Sequence, residues 1–192
     1  TDWVRKDIRM IPTEDGVKEK KIGDDKVIVL YMPGIHESIA GLIASKLKEA
    51  FYRPTLVFTD AENGQGLKGS GRSIETYNMF DKLCEHKELF VKVGGHPMAA
   101  GFTITREALE PLREALNRDC NLTDADLVEK LYVDESCAIK QLILPLYEEL
   151  AKLEPYGTAN VRPLFGIVKM GIQSIKMVGN EGQYARCTFV DG

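Results

Sequence analysis

The chain has 192 residues, of which 44% are hydrophobic and 28% charged, enough for a packed core in one domain or one domain with an appendage. With 25 basic and 29 acidic residues its formal net charge is −4. That argues against coating nucleic acid by bulk attraction but leaves room for a local basic site. No run approaches the roughly 18 apolar residues of a membrane span, and Thr1-Asp2-Trp3-Val4-Arg5-Lys6 lacks the apolar stretch of a signal peptide.

Trp3 to Lys21 reads as a hairpin turning at Asp15-Gly16. Val27 to Tyr31 is a continuous apolar run, the pattern of a strand covered on both faces. After Pro33-Gly34 a helix is expected from about Ser38 to Phe51, capped by Ser38, with Ile39, Ile43, Leu47 and Ala50 on its buried stripe. Thr55 to Thr59 is a second buried strand, making a parallel strand–helix–strand unit. Asp60 to Gly71, with four glycines, reads as a loop. A short helix starts near Asn78, Phe90 to Val93 precedes the pair Gly94-Gly95, and a strand covers Ala100 to Ile104. Thr105 caps a helix to about Asn117 that starts late or kinks at Pro111. Thr123 to Leu131 and Ala138 to Leu153 read as helices. The strand-like runs Leu164–Val168, Ile172–Met177 and Tyr184–Val190 begin an all-β module.

The cysteines Cys84, Cys120, Cys137 and Cys187 form no Cys-x-x-Cys pair and read as idle thiols of a reducing compartment. His36, His86 and His96 make no His-x-x-x-His pattern, so no metal site is read. Asp24-Asp25 and Glu148-Glu149 stand apart from other ligands and read as solvated charges. Three segments could carry chemistry. Gly94-Gly95-His96 brings backbone and an imidazole close to a ligand, although a tight turn with an incidental histidine is the commoner meaning of such a tripeptide. Lys68-Gly69-Ser70-Gly71-Arg72-Ser73 offers short hydroxyl donors and a guanidinium fork, as a phosphate cradle requires, or else a solvated loop. His36, at a strand-to-helix junction, lies where anions are favoured, or is an exposed capping residue. Tyr77 and Tyr156 are the aromatics best placed for base stacking.

In this order the pieces resemble the RecJ family of DHH phosphoesterases. The matching runs are His36 to Leu47, Tyr52-Arg53-Pro54-Thr55, Gly69 to Ile74, Gly94-Gly95-His96 with Ala99-Ala100-Gly101, and Leu153 to Asn160 with Pro163-Leu164-Phe165. Departures are Ile35, Ser38, Gly71 and Val161, where that family usually has Trp, Gly, Ala and Pro. The resemblance implies an α/β DHH-associated domain with a mixed, partly parallel sheet and flanking helices, then a helical linker and a partial OB-like β module. The expected divisions are an N-terminal hairpin or linker at 1–25, the DHH-associated domain at 26–118, a connector at 119–153 and the partial OB-fold at 154–192.

As a member of that family the chain is expected to bind single-stranded DNA for a 5′→3′ exonuclease of cytoplasmic DNA repair and recombination. Ser70, Arg72 and Ser73 would hold the terminal phosphate. His96 would contact the scissile phosphate, with Gly94, Gly95 and His36 contributing to binding. The family's Asp-His-His domain, which holds Mn or Mg, is absent from this sequence and is the expected partner within a longer parent chain, from which the missing initiator Met and the Asp191-Gly192 end suggest it was cut. Alternatives are a nano-RNase or cyclic-dinucleotide phosphodiesterase of the same superfamily, disfavoured by Val93 before Gly94, or a non-catalytic RecJ-like scaffold. An OB-fold has five strands, and the incomplete β module is expected to self-associate or fray through Ile172 to Val190.

Overall fold

The computed structural model describes residues 8–13, 16–21, 24–62, 64–157 and 159–190, with side chains from Asp24 onward. The chain divides into two compact units, residues 1–129 and 130–192. In the first unit, β1 (Ile8–Thr13) and β2 (Gly16–Lys21) pair antiparallel. Trp3 and Asp15, expected in this hairpin, lie outside the described residues.

The centre of the first unit is a five-stranded mixed sheet. It contains β3 (Ile28–Tyr31), β4 (Thr55–Asp60), β5 (Leu67–Arg72), β6 (Lys92–His96) and β7 (Ala99–Ile104) in the order β3-β4-β5-β7-β6. β3 and β4 are parallel, joined through α1 (Glu37–Phe51), and every other pair is antiparallel. The apolar runs behave as strands covered on both faces should. Ile28, Leu30 and Val57 pack against Ala40, Ala44 and Leu47 of α1. Val27, Val29, Leu56 and Phe58 face the other way, into the main core with Met79, Phe102, Ile104, Leu112 and Leu116.

Two expectations about α1 are corrected. Its buried residues are Ala40, Gly41, Ala44 and Leu47, whereas Ile39 and Ala50 are exposed. Small residues let the helix backbone lie close to the sheet, a gain that a stripe drawn by hydrophobicity alone does not register. The cap is His36, not Ser38: the imidazole Nδ1 accepts the Ser38 N–H at 3.2 Å.

The glycine-rich stretch from Asp60 to Gly71 is a loop only in its first half. From Leu67 it is strand, antiparallel to β4 on one side and to β7 on the other. Gly69 and Gly71 mark close approach rather than a turn. A Cβ on Gly69 would lie 2.6 Å from the Val57 carbonyl and strike the Phe102 ring, and one on Gly71 would strike the Met79 sulfur.

Asn78 caps α2 (Met79–Cys84), its side chain accepting the Asp81 N–H. Pro111 sits in the first turn of α3 (Leu109–Arg118), where a missing N–H costs nothing. A 3-10 turn at Arg106–Ala108 precedes α3, and Thr105 makes no side-chain cap bond to it. α3 closes the exposed edge of β3. Asn117 donates to the Val27 carbonyl at 2.9 Å and accepts the Val27 N–H at 3.1 Å. Buried Arg113 donates to the Val29 carbonyl at 2.9 Å. Polar groups on an edge strand are thereby paired without a sixth strand.

Thr123 to Leu131 is not a helix. The Asp126 carboxylate takes both the Thr123 N–H and its hydroxyl, holding a local turn that competes with helix. Asp25, expected to be solvated, is buried.

In the second unit the helix expected from Ala138 begins later. A 3-10 turn covers Ile139–Gln141, and α4 (Leu144–Ala151) starts so that Pro145 falls in its first turn. β8 (Glu135–Ser136) pairs parallel with β9 (Phe165–Gly166), and β10 (Gly171–Val178) pairs antiparallel with β11 (Tyr184–Val190). Among the described residues β10 and β11 have no third strand, and Ile172, Ile175 and Met177 on β10 are exposed.

Replacing Asn117 with Ala leaves the Val27 N–H and C=O without their partners on a residue that is fully buried. Each unsatisfied buried group costs about 1–3 kcal/mol. Urea unfolding should show a loss of at least about 2 kcal/mol; a loss below about 0.5 kcal/mol contradicts the edge-closing role.

Candidate nucleic-acid interface

Register alone sorts the sheet residues into two faces, since side chains alternate along each strand. The row Thr55–Arg72–Ala99–His96 crosses β4, β5, β7 and β6, and two positions along runs Val57–Ser70–Gly101–Gly94. Two further positions bring Thr59–Lys68–Thr103–Lys92. All three rows share the face on which α1 packs, because Val57 belongs to the α1 core. α1 lies against β4 and β5. Farther across, Gly101 and Gly94 are exposed, and a Cβ added at either would meet nothing within 4 Å. The result is a bare strip of backbone with Ser70 beside it, an arginine and a histidine at one end and two lysines at the other.

Arg72 is half-buried, and its Nη1 donates to the Gly71 carbonyl at 2.8 Å. Among the described residues no carboxylate pairs with it. Lys68 differs: it is engaged by Glu37, and their mutual hydrogen bond lowers the Glu37 pKa and raises that of Lys68. His96 is exposed; its Nδ1 accepts the Met98 N–H at 3.3 Å, which leaves Nε2 as the outward group. The Cα atoms of Arg72 and His96 are two strand spacings apart, about 10 Å.

The sequence-predicted residues are only partly brought together. Ser70, Arg72, Gly94 and His96 share the face. Gly95 belongs to the opposite side, where a Cβ would lie 2.6 Å from the Ala100 Cα. Ser73 is buried, and its hydroxyl donates to the Tyr77 carbonyl at 2.6 Å, so it is tied into the fold rather than offered with Arg72. His36 caps α1 at the Lys68 end, four residues from Arg72 along β5 or about 13 Å. Its Nε2 lies 3.0 Å from Glu62 Oε1. Tyr77, expected as a stacking residue, is core, and burial drives its hydroxyl pKa up. Tyr156 is half-buried, donates to the Leu150 carbonyl at 2.6 Å, and has the Arg162 guanidinium 5.0 Å from its ring centre. Lys92 and Thr103 went unnoticed in the sequence; counting by twos from His96 and Gly101 finds them.

A cleft of about 700 Å³ lies at the Asp60 end of β4, lined by Asp60, Gln65, Thr103, Thr105, Arg106 and their neighbours. Its cation is already used. Arg106 pairs with Asp60 and donates to the Tyr31 hydroxyl at 2.9 Å. The hydrogen bond from Tyr31, then that from Arg106, hold the Asp60 pKa below its ordinary value. The margin of the open sheet face, by contrast, holds an arginine with no carboxylate partner among the described residues.

Residues 24–121 match the DHHA1 domain family. The chain belongs to that family. The RecJ OB domain matches residues 133–192, so DHHA1 is followed here by the module that accompanies it in RecJ. The single-stranded-DNA-specific exonuclease RecJ of Bacillus subtilis is 32% identical over 86% of this chain and 21% of its own length. That of Thermus thermophilus is 35% identical over 73% of the chain and 20% of its own. The crystal structure of Thermus thermophilus RecJ with Mn²⁺ superposes with a TM-score of 0.72, at 26% identity, over 86% of this chain and 24% of that one. The chain thus spans about a fifth to a quarter of the length of these relatives, and corresponds to the DHHA1 and OB region of the RecJ exonuclease family. Thermus thermophilus RecJ has also been crystallised with Mg²⁺. Among the described residues of this DHHA1–OB chain no three His, Cys, Asp or Glu side chains are grouped to hold a metal ion. The described residues therefore offer no ligand set that fits a divalent metal.

The close-packed and the bare glycines separate by substitution. Gly69→Ala should cost about 1–3 kcal/mol, as overpacking does. Gly101→Ala should be neutral or stabilising by up to about 1 kcal/mol, because a strand glycine gives up backbone entropy. Chemical denaturation of the two variants tests the assignment of faces; equal costs contradict it.

Proposed function

We propose that this chain is the substrate-holding part of a RecJ-like 5′→3′ single-strand DNA exonuclease acting in cytoplasmic DNA repair and recombination. In this reading a DHH domain of the same parent supplies the Mn or Mg and the hydrolytic chemistry. The DHHA1 unit holds the strand end. The observation that carries the proposal is the row joining Arg72, at the margin of α1, to His96 on the open part of the same sheet face, with Arg72 free of any carboxylate partner among the described residues.

A terminal phosphate carries more charge than an internal one and presents three free oxygens. A guanidinium engages two of them at once, and the Ser70 hydroxyl, two residues along the same face, reaches another. His96 offers Nε2 to a second phosphate about one nucleotide away. The bare strip at Gly94 and Gly101 lets the sugar-phosphate chain approach the backbone closely. Ser73, held in the core, supports the β5 end instead of touching substrate.

The purified chain should release no nucleotides from single-stranded DNA with Mn²⁺ or Mg²⁺. Metal-dependent release after contaminants are excluded contradicts the division of labour. In the parent enzyme, Arg72→Ala should lose about 1.5–3 kcal/mol per charged hydrogen bond removed, roughly 10-fold to 150-fold. The loss should appear in kcat/KM on 5′-phosphorylated strands and be small on 5′-hydroxyl strands. His96→Ala should slow both. Equal weakening of both substrates by Arg72→Ala makes Arg72 a general backbone contact and removes end recognition from the account.

A further inference from the structure

Gly41 is the fifth residue of α1, buried, and its backbone is ordinary helix, so no left-handed torsion calls for a glycine there. In a helix interior glycine is less favourable than alanine, both by entropy and by exposure of backbone. Something in the neighbourhood must account for the missing methyl. An added Cβ would lie 2.8 Å from Arg72 Nη2, 3.5 Å from its Cζ and 3.6 Å from its Nη1. The guanidinium therefore rests on the helix backbone at Gly41. On its strand side the same group is tied by the bond from Nη1 to the Gly71 carbonyl, at 2.8 Å.

We infer that Gly41 is a positioning residue for Arg72: the notch it leaves in α1, together with the Gly71 carbonyl, seats the guanidinium at the edge of the open sheet face before any phosphate arrives. The inference rests on the phosphate reading of Arg72 given above. A free arginine side chain has many rotamers, and ordering it on binding reduces affinity; a seated fork avoids that loss. Only the far end of one flexible side chain stands in the way of a Cβ at Gly41, so the fold can absorb an alanine by moving Arg72. Stability and phosphate recognition should then respond to one methyl in opposite directions.

The test compares Gly41→Ala, Arg72→Ala and the double variant of this chain. Melting, the Arg72 Nε–H resonance in ¹H–¹⁵N spectra, and the Kd of a 5′-phosphorylated hexathymidylate against its 5′-hydroxyl form are measured. The resonance is assigned by its absence in Arg72→Ala. Gly41→Ala should hold its melting midpoint or raise it by roughly 2–4 °C, as a helix-favouring change does. It should shift the Arg72 resonance and weaken binding of the phosphorylated strand about tenfold, as loss of one charged hydrogen bond implies. In the Arg72→Ala background the same methyl should cost no further affinity.

An unmoved resonance in folded Gly41→Ala overturns the seat. So does an affinity loss that persists undiminished without Arg72. Should Gly41→Ala melt low, the double variant decides: it should recover the wild-type midpoint because the obstruction is gone, and a double variant that also melts low contradicts the inference. If Arg72→Ala leaves the affinity for both strands unchanged, the phosphate reading falls and the functional half of this inference falls with it, while the resonance still decides whether Gly41 seats the side chain.

Discussion

Strand β5 packs closely against the main core because two of its three inward positions, Gly69 and Gly71, carry no side chain, Leu67 filling the third. Gly69 and Gly71 let the Phe102 ring and the Met79 sulfur pack directly on backbone. The Phe102 ring in turn sits 4.8 Å from that of Phe58, centre to centre, and 6.0 Å from that of Phe90. That contact fixes which way the strand faces. Once the glycines turn inward, a period of two sends Lys68, Ser70 and Arg72 outward. A slip of one residue would bury Arg72 and expose the glycines, so core packing and the display of the arginine are the same constraint seen from two sides.

The helices complete the arrangement at the two flanks. α1 approaches closely through Ala40, Gly41 and Ala44, lying against β4 and β5 and packing on the β3 side chains Ile28 and Leu30. α3 closes the free edge of β3 with Asn117 and Arg113. Between the end of α1's coverage and the β6 edge the sheet stays open, and its central facing pair, Gly94 and Gly101, carries no side chain. An uncovered antiparallel region beside a doubly covered parallel pair is how a mixed sheet can be stable and still present a flat binding face.

Much of this was legible in the sequence. The apolar runs at Val27–Tyr31 and Thr55–Thr59, the helix between them and the paired β10 and β11 runs follow from periodicity and composition. The resemblance to RecJ, carried by ordered motifs, gave the fold class and family that the comparisons show. What was not legible has specific causes. Glycine serves both turns and close contacts, and only the tertiary neighbours Phe102 and Met79 reveal that Gly69 and Gly71 belong to a strand. Ser73 adjoins Arg72 in sequence but points into the core, toward the Tyr77 carbonyl. Pro145 moved the start of α4 beyond the apolar pattern, and the Asp126 carboxylate turned a helical-looking stretch into a local turn.

The central claim is that the face bearing Ser70, Gly101, Gly94, Arg72 and His96 receives a phosphorylated strand end. A crystal structure of the DHHA1–OB chain, or of its parent, with a 5′-phosphorylated oligonucleotide tests it most directly. The account predicts the terminal phosphate at about 2.7–2.9 Å from the Arg72 guanidinium nitrogens, the distance of a charge-assisted bond, with the strand lying over Gly94 and Gly101. A terminal phosphate bound in the Asp60–Arg106 cleft, or on the opposite side of the sheet, would contradict it.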